Sequence, residues 1–193
     1  MPYIQQTRLE TGGRENRVEP REIVYRGVEY REAKLVLAAQ RYRRDERRFF
    51  RNGARAKAVF GSGVYLVSNP KVAAEYAICH AETTWDKAAV LRQELSIADY
   101  FLLNRQYGEN QLREDALLSR HEMDALRRKQ AASTYEQWLE WTGEEVRSYL
   151  LESGYAGICY PLSPELTYYV SYRPDEQISS ITLAAVLDLQ ELY

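Results

Sequence analysis

The chain has 193 residues, a formal net charge of −2, and 45% hydrophobic and 12% aromatic side chains. That is enough apolar material for one domain with a sizeable core, and the near-neutral balance gives no global pull toward nucleic acid or a membrane surface. No apolar run reaches membrane-spanning length, and the two cysteines and two histidines form no cluster with zinc-ligand spacing, so no metal site is expected.

Residues 1–20 are polar, carry Gly12-Gly13 and Pro20, and are expected to form a flexible segment ahead of a single domain over 21–193. They lack the apolar core of a cleaved secretory signal; a non-cleaved signal stays open. Glu22–Gly27 (EIVYRG) reads as a strand ending at a glycine, and 29–48 as a helix whose apolar face carries Ala33 and Leu35 to Ala39. Residues 49–59 are basic and contain Asn52-Gly53, which reads as a loop. The basic stretch 41–57 is either a solvated helix face and loop or a phosphate-binding patch.

Phe60–Tyr76 (FGSGVYLVSNPKVAAEY) is the most informative segment. Gly61 and Gly63 permit a sharp turn or close backbone approach. Val64 to Val67 form a short strand, Asn69-Pro70 stops it, and Lys71–Ala81 reads as an alanine-rich helix. Tyr65 and Tyr76 stand on consecutive elements. Either they grip a flat polar ring in one cleft, or they are core aromatics of an ordinary strand–helix unit.

Ala89–Ile97 alternates as a strand, and Tyr100–Leu103 extends or neighbours it. Gln111–Lys129 reads as one charged helix. Thr134 with Gln137 offers a capping box for the next, expected to end near Thr142-Gly143. Glu144–Ser153 reads as a further helix stopped by Gly154. Gly157–Tyr160, Thr167–Tyr172 and Ile178–Leu189 read as strands, the second halted by Pro174, with a helical turn possible at the C-terminus. Strands gather at both ends of the chain around a helical middle, which argues an α+β fold. Cys79 and Cys159 read as buried free thiols in a reducing compartment.

Three separated segments resemble one superfamily, the ADP-ribosyltransferases. They are Val24–Gly27 (VYRG), the Gly61–Tyr76 segment, and Gly154–Tyr160 (GYAGICY) followed by Tyr168–Ile178 (YYVSYRPDEQI). Their order and spacing look like the poly(ADP-ribose) polymerase and diphtheria-toxin branch, in the form of bacterial or phage effectors. The resemblance implies a split antiparallel β-sheet with flanking helices, 108–150 being a helical insertion. It implies that Arg26 anchors NAD and that the Gly27 backbone binds the nicotinamide amide. Gly63 and Tyr65 then stand on the nicotinamide-binding strand, and Tyr65 and Tyr76 sandwich the ring.

The implied chemistry is cleavage of the nicotinamide–ribose bond through an oxocarbenium-like state. Such a site holds the leaving ring, clamps a diphosphate and normally supplies a carboxylate. The chain departs from the pattern here: alignment on Val170-Ser171-Tyr172 puts Tyr168 where the family glutamate stands. Glu165 is the nearest upstream carboxylate, and Asp175 and Glu176 rank behind it. Ala73 stands where the family often carries serine or threonine. The catalytic set implied is therefore Arg26 and Tyr65 with Glu165 or Tyr168.

On this resemblance the chain is expected to transfer a single ADP-ribose from NAD to a macromolecular acceptor, protein or nucleic acid, in a cytoplasm. It would act as a toxin or effector, with an antitoxin or immunity protein as a further partner. The alternative is a catalytically silent module of the same fold that binds NAD, ADP-ribose or a protein. A phosphotransferase-like relative acting on RNA ends ranks behind both.

Overall fold

The computed structural model describes residues 20–42, 59–81 and 87–191. The flexible segment expected over 1–20 and the basic stretch expected over 41–57 lie outside the described residues, except Pro20, Arg41 and Tyr42.

The described residues form an α+β fold of seven strands and six helices. In chain order these are β1 (Arg21–Glu29), α1 (Tyr30–Ala39), β2 (Val64–Val67), α2 (Pro70–Ala81), β3 (Lys87–Ser96) and β4 (Tyr100–Leu102). Three helices follow, α3 (Glu109–Leu118), α4 (Met123–Ala132) and α5 (Tyr135–Glu152). The chain then returns to β5 (Gly157–Ser163), β6 (Leu166–Ser171), α6 (Pro174–Gln177) and β7 (Ile178–Asp188). A 3-10 turn, Leu189–Glu191, closes the described chain.

The sheet order is β4-β5-β6-β2-β1-β3-β7. All neighbours are antiparallel except β4 and β5, which run parallel. The sheet is thus mixed where a purely antiparallel one was expected, because β4 reaches β5 through the three-helix crossover. β1 matches β3 along its whole length, Arg21↔Ser96 to Glu29↔Ala88. Its register with β2 is the single pair Tyr25↔Val67. The sheet therefore falls into two halves, β4-β5-β6-β2 and β1-β3-β7, joined at one point.

Alternation along the strands sends side chains to opposite faces. On one face Val24, Val28, Val64, Leu66, Leu91, Leu95 and Tyr169 pack beneath Ala33 and Val36 of α1. On the other, Tyr25, Val67, Val90 and Tyr168 meet Val72 and Ala73 of α2. Further along that second face, Ile158, Val170 and Tyr172 pack against Leu112 and Ala116 of α3 and Val146 and Leu150 of α5. Burying each large side chain of this kind contributes about 1.5–3 kcal/mol.

Several expected boundaries move. The helix expected over 29–48 stops at Ala39, where Gln40 turns left-handed at φ 51°. The Gln40 amide donates to the carbonyls of Leu37 and Ile181, both at 2.9 Å, and fixes that turn. The single helix expected over 111–129 breaks after Leu118. Arg120 and His121 turn toward α5, where both reach Glu145, at 2.9 and 3.1 Å. The break expected at Thr142-Gly143 is absent: α5 runs through it, begun by the Thr134–Gln137 capping box. Buried Gly143 instead admits the loop at Gly61, where an added Cβ would stand 2.6 Å from the Gly143 carbonyl oxygen. Both cysteines are free thiols, but Cys79 is exposed rather than buried.

Candidate functional site

The two halves of the sheet part beside the residues that the sequence singled out. Past Tyr25↔Val67, β1 continues with Arg26 and Gly27, and β2 is flanked on that side by Leu66 and Tyr65. Tyr65 pairs with Val170 of β6, and Val67 with Tyr168. Tyr65 and Tyr168 are therefore diagonal neighbours on the α2 face.

The hydroxyl of Tyr65 is committed to its own loop. It donates to the Gly61 carbonyl at 2.7 Å and accepts from the Phe60 amide at 3.2 Å. Tyr172 donates to the Phe60 carbonyl at 2.8 Å. Glu144 of α5 holds the other side of the loop, accepting from the Ser62 amide at 2.7 Å and the Ser62 hydroxyl at 2.5 Å. Burial, first of all, pushes the Tyr65 phenol far above its ordinary range, and the nearby Glu144 carboxylate adds to this. Gly63 lies tight on β6: an added Cβ would meet Val170 Cγ1 at 2.9 Å and the Ser171 carbonyl oxygen at 3.0 Å.

Tyr76 meets Tyr168. The two hydroxyls lie 2.9 Å apart and the rings meet edge to face, with centroids 6.4 Å apart at 87°. Tyr76 is 40% exposed. Its phenol is also pushed up, by burial and then by the bond to Tyr168. Tyr168 is half-buried, between Val67 on β2 and Tyr160 on β5.

Gly27 lies directly beneath α2. A Cβ there would stand 1.9 Å from the Ala73 carbonyl oxygen and 2.5 Å from the Ala77 nitrogen. This crossing accounts for a small residue at 73, where the resemblance leads one to expect serine or threonine: Ala73 and Ala77 are both fully buried.

Arg26 occupies the opposite face, with Val24 and Val28. Its guanidinium carbon lies 4.6 Å from the centre of the Tyr42 ring, and Nη2 approaches Glu32 Oε1 at 3.4 Å. Tyr42 in turn donates to Gln93 Oε1 at 2.6 Å. Arg26 and the three tyrosines therefore flank the parting from opposite faces of the sheet. Sequence reasoning missed Tyr42 and Gln93. A signal for Gln93 existed: in AVLRQELSI it takes an inward position between Leu91 and Leu95.

Glu165 is not brought to the tyrosines. It sits exposed in the two-residue turn between β5 and β6, about 10 Å along the strand from Tyr168 at the usual rise per residue. Asp175 and Glu176 lie in α6, beyond the other end of β6. Gln177 of the same motif is structural. It is buried and accepts from the Ser171 hydroxyl at 2.6 Å and the Tyr100 hydroxyl at 3.2 Å.

Among the described residues, no group of three or more His, Cys, Asp or Glu side chains is placed to hold a metal ion. No helix among them is long and apolar enough to cross a membrane. A groove of about 280 Å³, with Leu117, Met123, Leu126 and Trp138 in its wall, is lined wholly by α3, α4 and α5. No protein-family model matches the chain, and no curated protein matches it.

Proposed function

We propose that the chain is a mono-ADP-ribosyltransferase of the split-sheet type, with NAD as donor and a macromolecule as acceptor. The observation that carries this reading is the single register pair Tyr25↔Val67. It leaves the two half-sheets parted beside Arg26-Gly27, Tyr65, Tyr76 and Tyr168, with Arg26 on one face of the sheet and the tyrosines on the other. Three sequence segments far apart in the chain thus border one parting of the sheet, which supports this reading.

In this reading the nicotinamide ring lies against Tyr65 and Tyr76 and the diphosphate runs to Arg26. Breaking the nicotinamide–ribose bond sends its electron pair to the ring nitrogen and cancels the positive charge there. An acceptor oxygen or nitrogen then attacks C1′ of the ribose and loses its proton. The paired Tyr76 and Tyr168 hydroxyls hydrogen-bond the ribose hydroxyls and fix its orientation. A phenol is a poor base at neutral pH, so the site orients the donor and the acceptor brings its own nucleophilicity. Transfer of one ADP-ribose, without chain elongation, fits a site with tyrosine in the carboxylate's place. The acceptor is a protein side chain or a nucleic acid in a cytoplasm, and an antitoxin or immunity protein would restrain the activity.

One observation favours a second reading, a silent NAD- or ADP-ribose-binding module. Glu165, the nearest carboxylate to Tyr168 upstream in the chain, is exposed on a turn. Incubation of the chain with adenine-labelled NAD and a cell lysate separates the two. Transfer predicts label on macromolecules that is lost in Arg26→Ala and Tyr65→Ala, and protease or nuclease digestion then reveals the acceptor class. Absence of label with intact NAD binding would establish the silent module instead.

A further inference from the structure

The three helices between β4 and β5 leave an apolar groove open to solvent. It measures about 280 Å³ and lies between α3 and α4, with Trp138 of α5 in its wall. Leu117 and Leu126 line it and are buried. Leu118 and Met123 line it too, on either side of the α3–α4 turn, yet they are 45% and 52% exposed. Exposed apolar side chains gathered at a groove and rimmed by charges mark an interaction surface.

The two helices that wall the groove carry opposite charge. α3 has Glu109, Glu114 and Asp115 against Arg113, and α4 has Arg127, Arg128 and Lys129 against Asp124. Of the charged side chains in the lining, Arg113 is matched by Glu109 on its own helix at 2.6 Å. Glu114 and Arg127 are the other two, and both are exposed. Arg127 meets Asp124 only at 4.0 Å. The groove therefore has an acidic wall, a basic wall and an apolar floor.

A partner of one sign would suit one wall and be repelled by the other. A second copy turned about a two-fold axis suits both, because it presents α4 to α3 and α3 to α4. The same rotation brings the exposed Leu118 and Met123 of the two copies together over the groove floors, and methionine adapts readily to such a contact. The apolar contact supplies affinity and the charges set the orientation.

We propose that this groove is a homodimer interface, in which Glu114 of each protomer pairs with Arg127 of the partner subunit across a shared apolar core. The interface is independent of the NAD reading, since α3, α4 and α5 carry none of Arg26, Gly27, Tyr65, Tyr76 or Tyr168.

Sedimentation velocity of the full chain over a concentration series tests it. Wild type is expected to run as a dimer that dissociates on dilution. Met123→Glu puts a charge into the apolar core and is expected to weaken self-association roughly tenfold or more. Glu114→Arg and Arg127→Glu each set like charges against one another across the two-fold, and each alone is expected to run largely as monomer. An equimolar mixture of these two variants is expected to form a heterodimer, because each supplies the charge that the other lacks. Mixing would not repair a defect of folding, and circular dichroism checks that each variant is folded. Wild type that stays monomeric at every concentration overturns the interface. So does a dimer that survives Met123→Glu unchanged, or a pair of charge variants that associate no better mixed than alone.

Discussion

The hydroxyls of Tyr76 and Tyr168 lie 2.9 Å apart, across 92 residues of sequence. The contact joins the helix after β2 to the strand that carries Tyr168, the residue that the resemblance aligns with a glutamate. It makes Tyr168 half of an aromatic pair, while Glu165 stays exposed on the turn before that strand.

Glu165→Gln is expected to leave both stability and any NAD-dependent activity at wild-type levels. The side chain is exposed on a turn, and surface substitutions of this kind stay within about 0.5 kcal/mol. Chemical denaturation and nicotinamide release check it. A loss of activity would show that the turn folds over the tyrosines when the donor binds.

Gly27→Ala is expected to destabilise by about 3 kcal/mol or more, or to prevent folding. The new methyl would lie 1.9 Å from backbone of α2, so the helix must lift and its packing is lost. Gly63→Ala is expected to cost less, because its closest neighbour is the Val170 side chain, at 2.9 Å. Urea midpoints of the two variants rank them.

Arg26→Met is expected to lower stability by up to about 3 kcal/mol, because it leaves the largely buried Glu32 carboxylate without its cation and removes the stacking on Tyr42. NAD binding is expected to vanish as well. Calorimetry on the folded variant, well below its melting temperature, separates the two effects; NAD binding retained there would mean that Arg26 is chiefly a structural group.

Stability is expected to hold up to about pH 10 and to fall above it. Burial is the first cause that raises the phenols of Tyr65, Tyr100, Tyr172 and Tyr169, the last to about 12. Their folded-state pKa values exceed the unfolded value near 10. The unfolded chain therefore releases these protons first. The stability they contribute is whole below about pH 10 and is lost as pH rises through the folded values. Phenolate absorbance checks it. Exposed tyrosines are expected to ionise first, and the buried ones to appear together with unfolding.

Much of the fold is legible in the sequence because its signals are local. Alternation marks β3, the apolar run ending at Gly27 marks β1, the stop at Pro174 marks β6, Asn69-Pro70 marks the start of α2, and Thr134 with Gln137 marks that of α5. What stays hidden depends on distant partners. Nothing local ends α3 at Leu118; residues 120 and 121 are drawn away by Glu145. Gly143 reads as a stop, yet it serves the approach of Gly61. The site divides in the same way. Arg26, Gly27, Tyr65, Tyr76 and Tyr168 stand out in the sequence only as a candidate set, and which face each strand side chain takes depends on strand register. Register sets Arg26 on one face with Gln93 and Tyr168 on the other, where Tyr76 meets it.

The central claim is that NAD reacts beside the Tyr76–Tyr168 pair. The most direct test is nicotinamide release from NAD by the purified chain in the presence of lysate acceptor, for wild type and Tyr76→Ala. The account predicts release by wild type and a fall of roughly tenfold or more in Tyr76→Ala, the loss of a ring-positioning contact. Absence of release by wild type, or equal release by both, would contradict it.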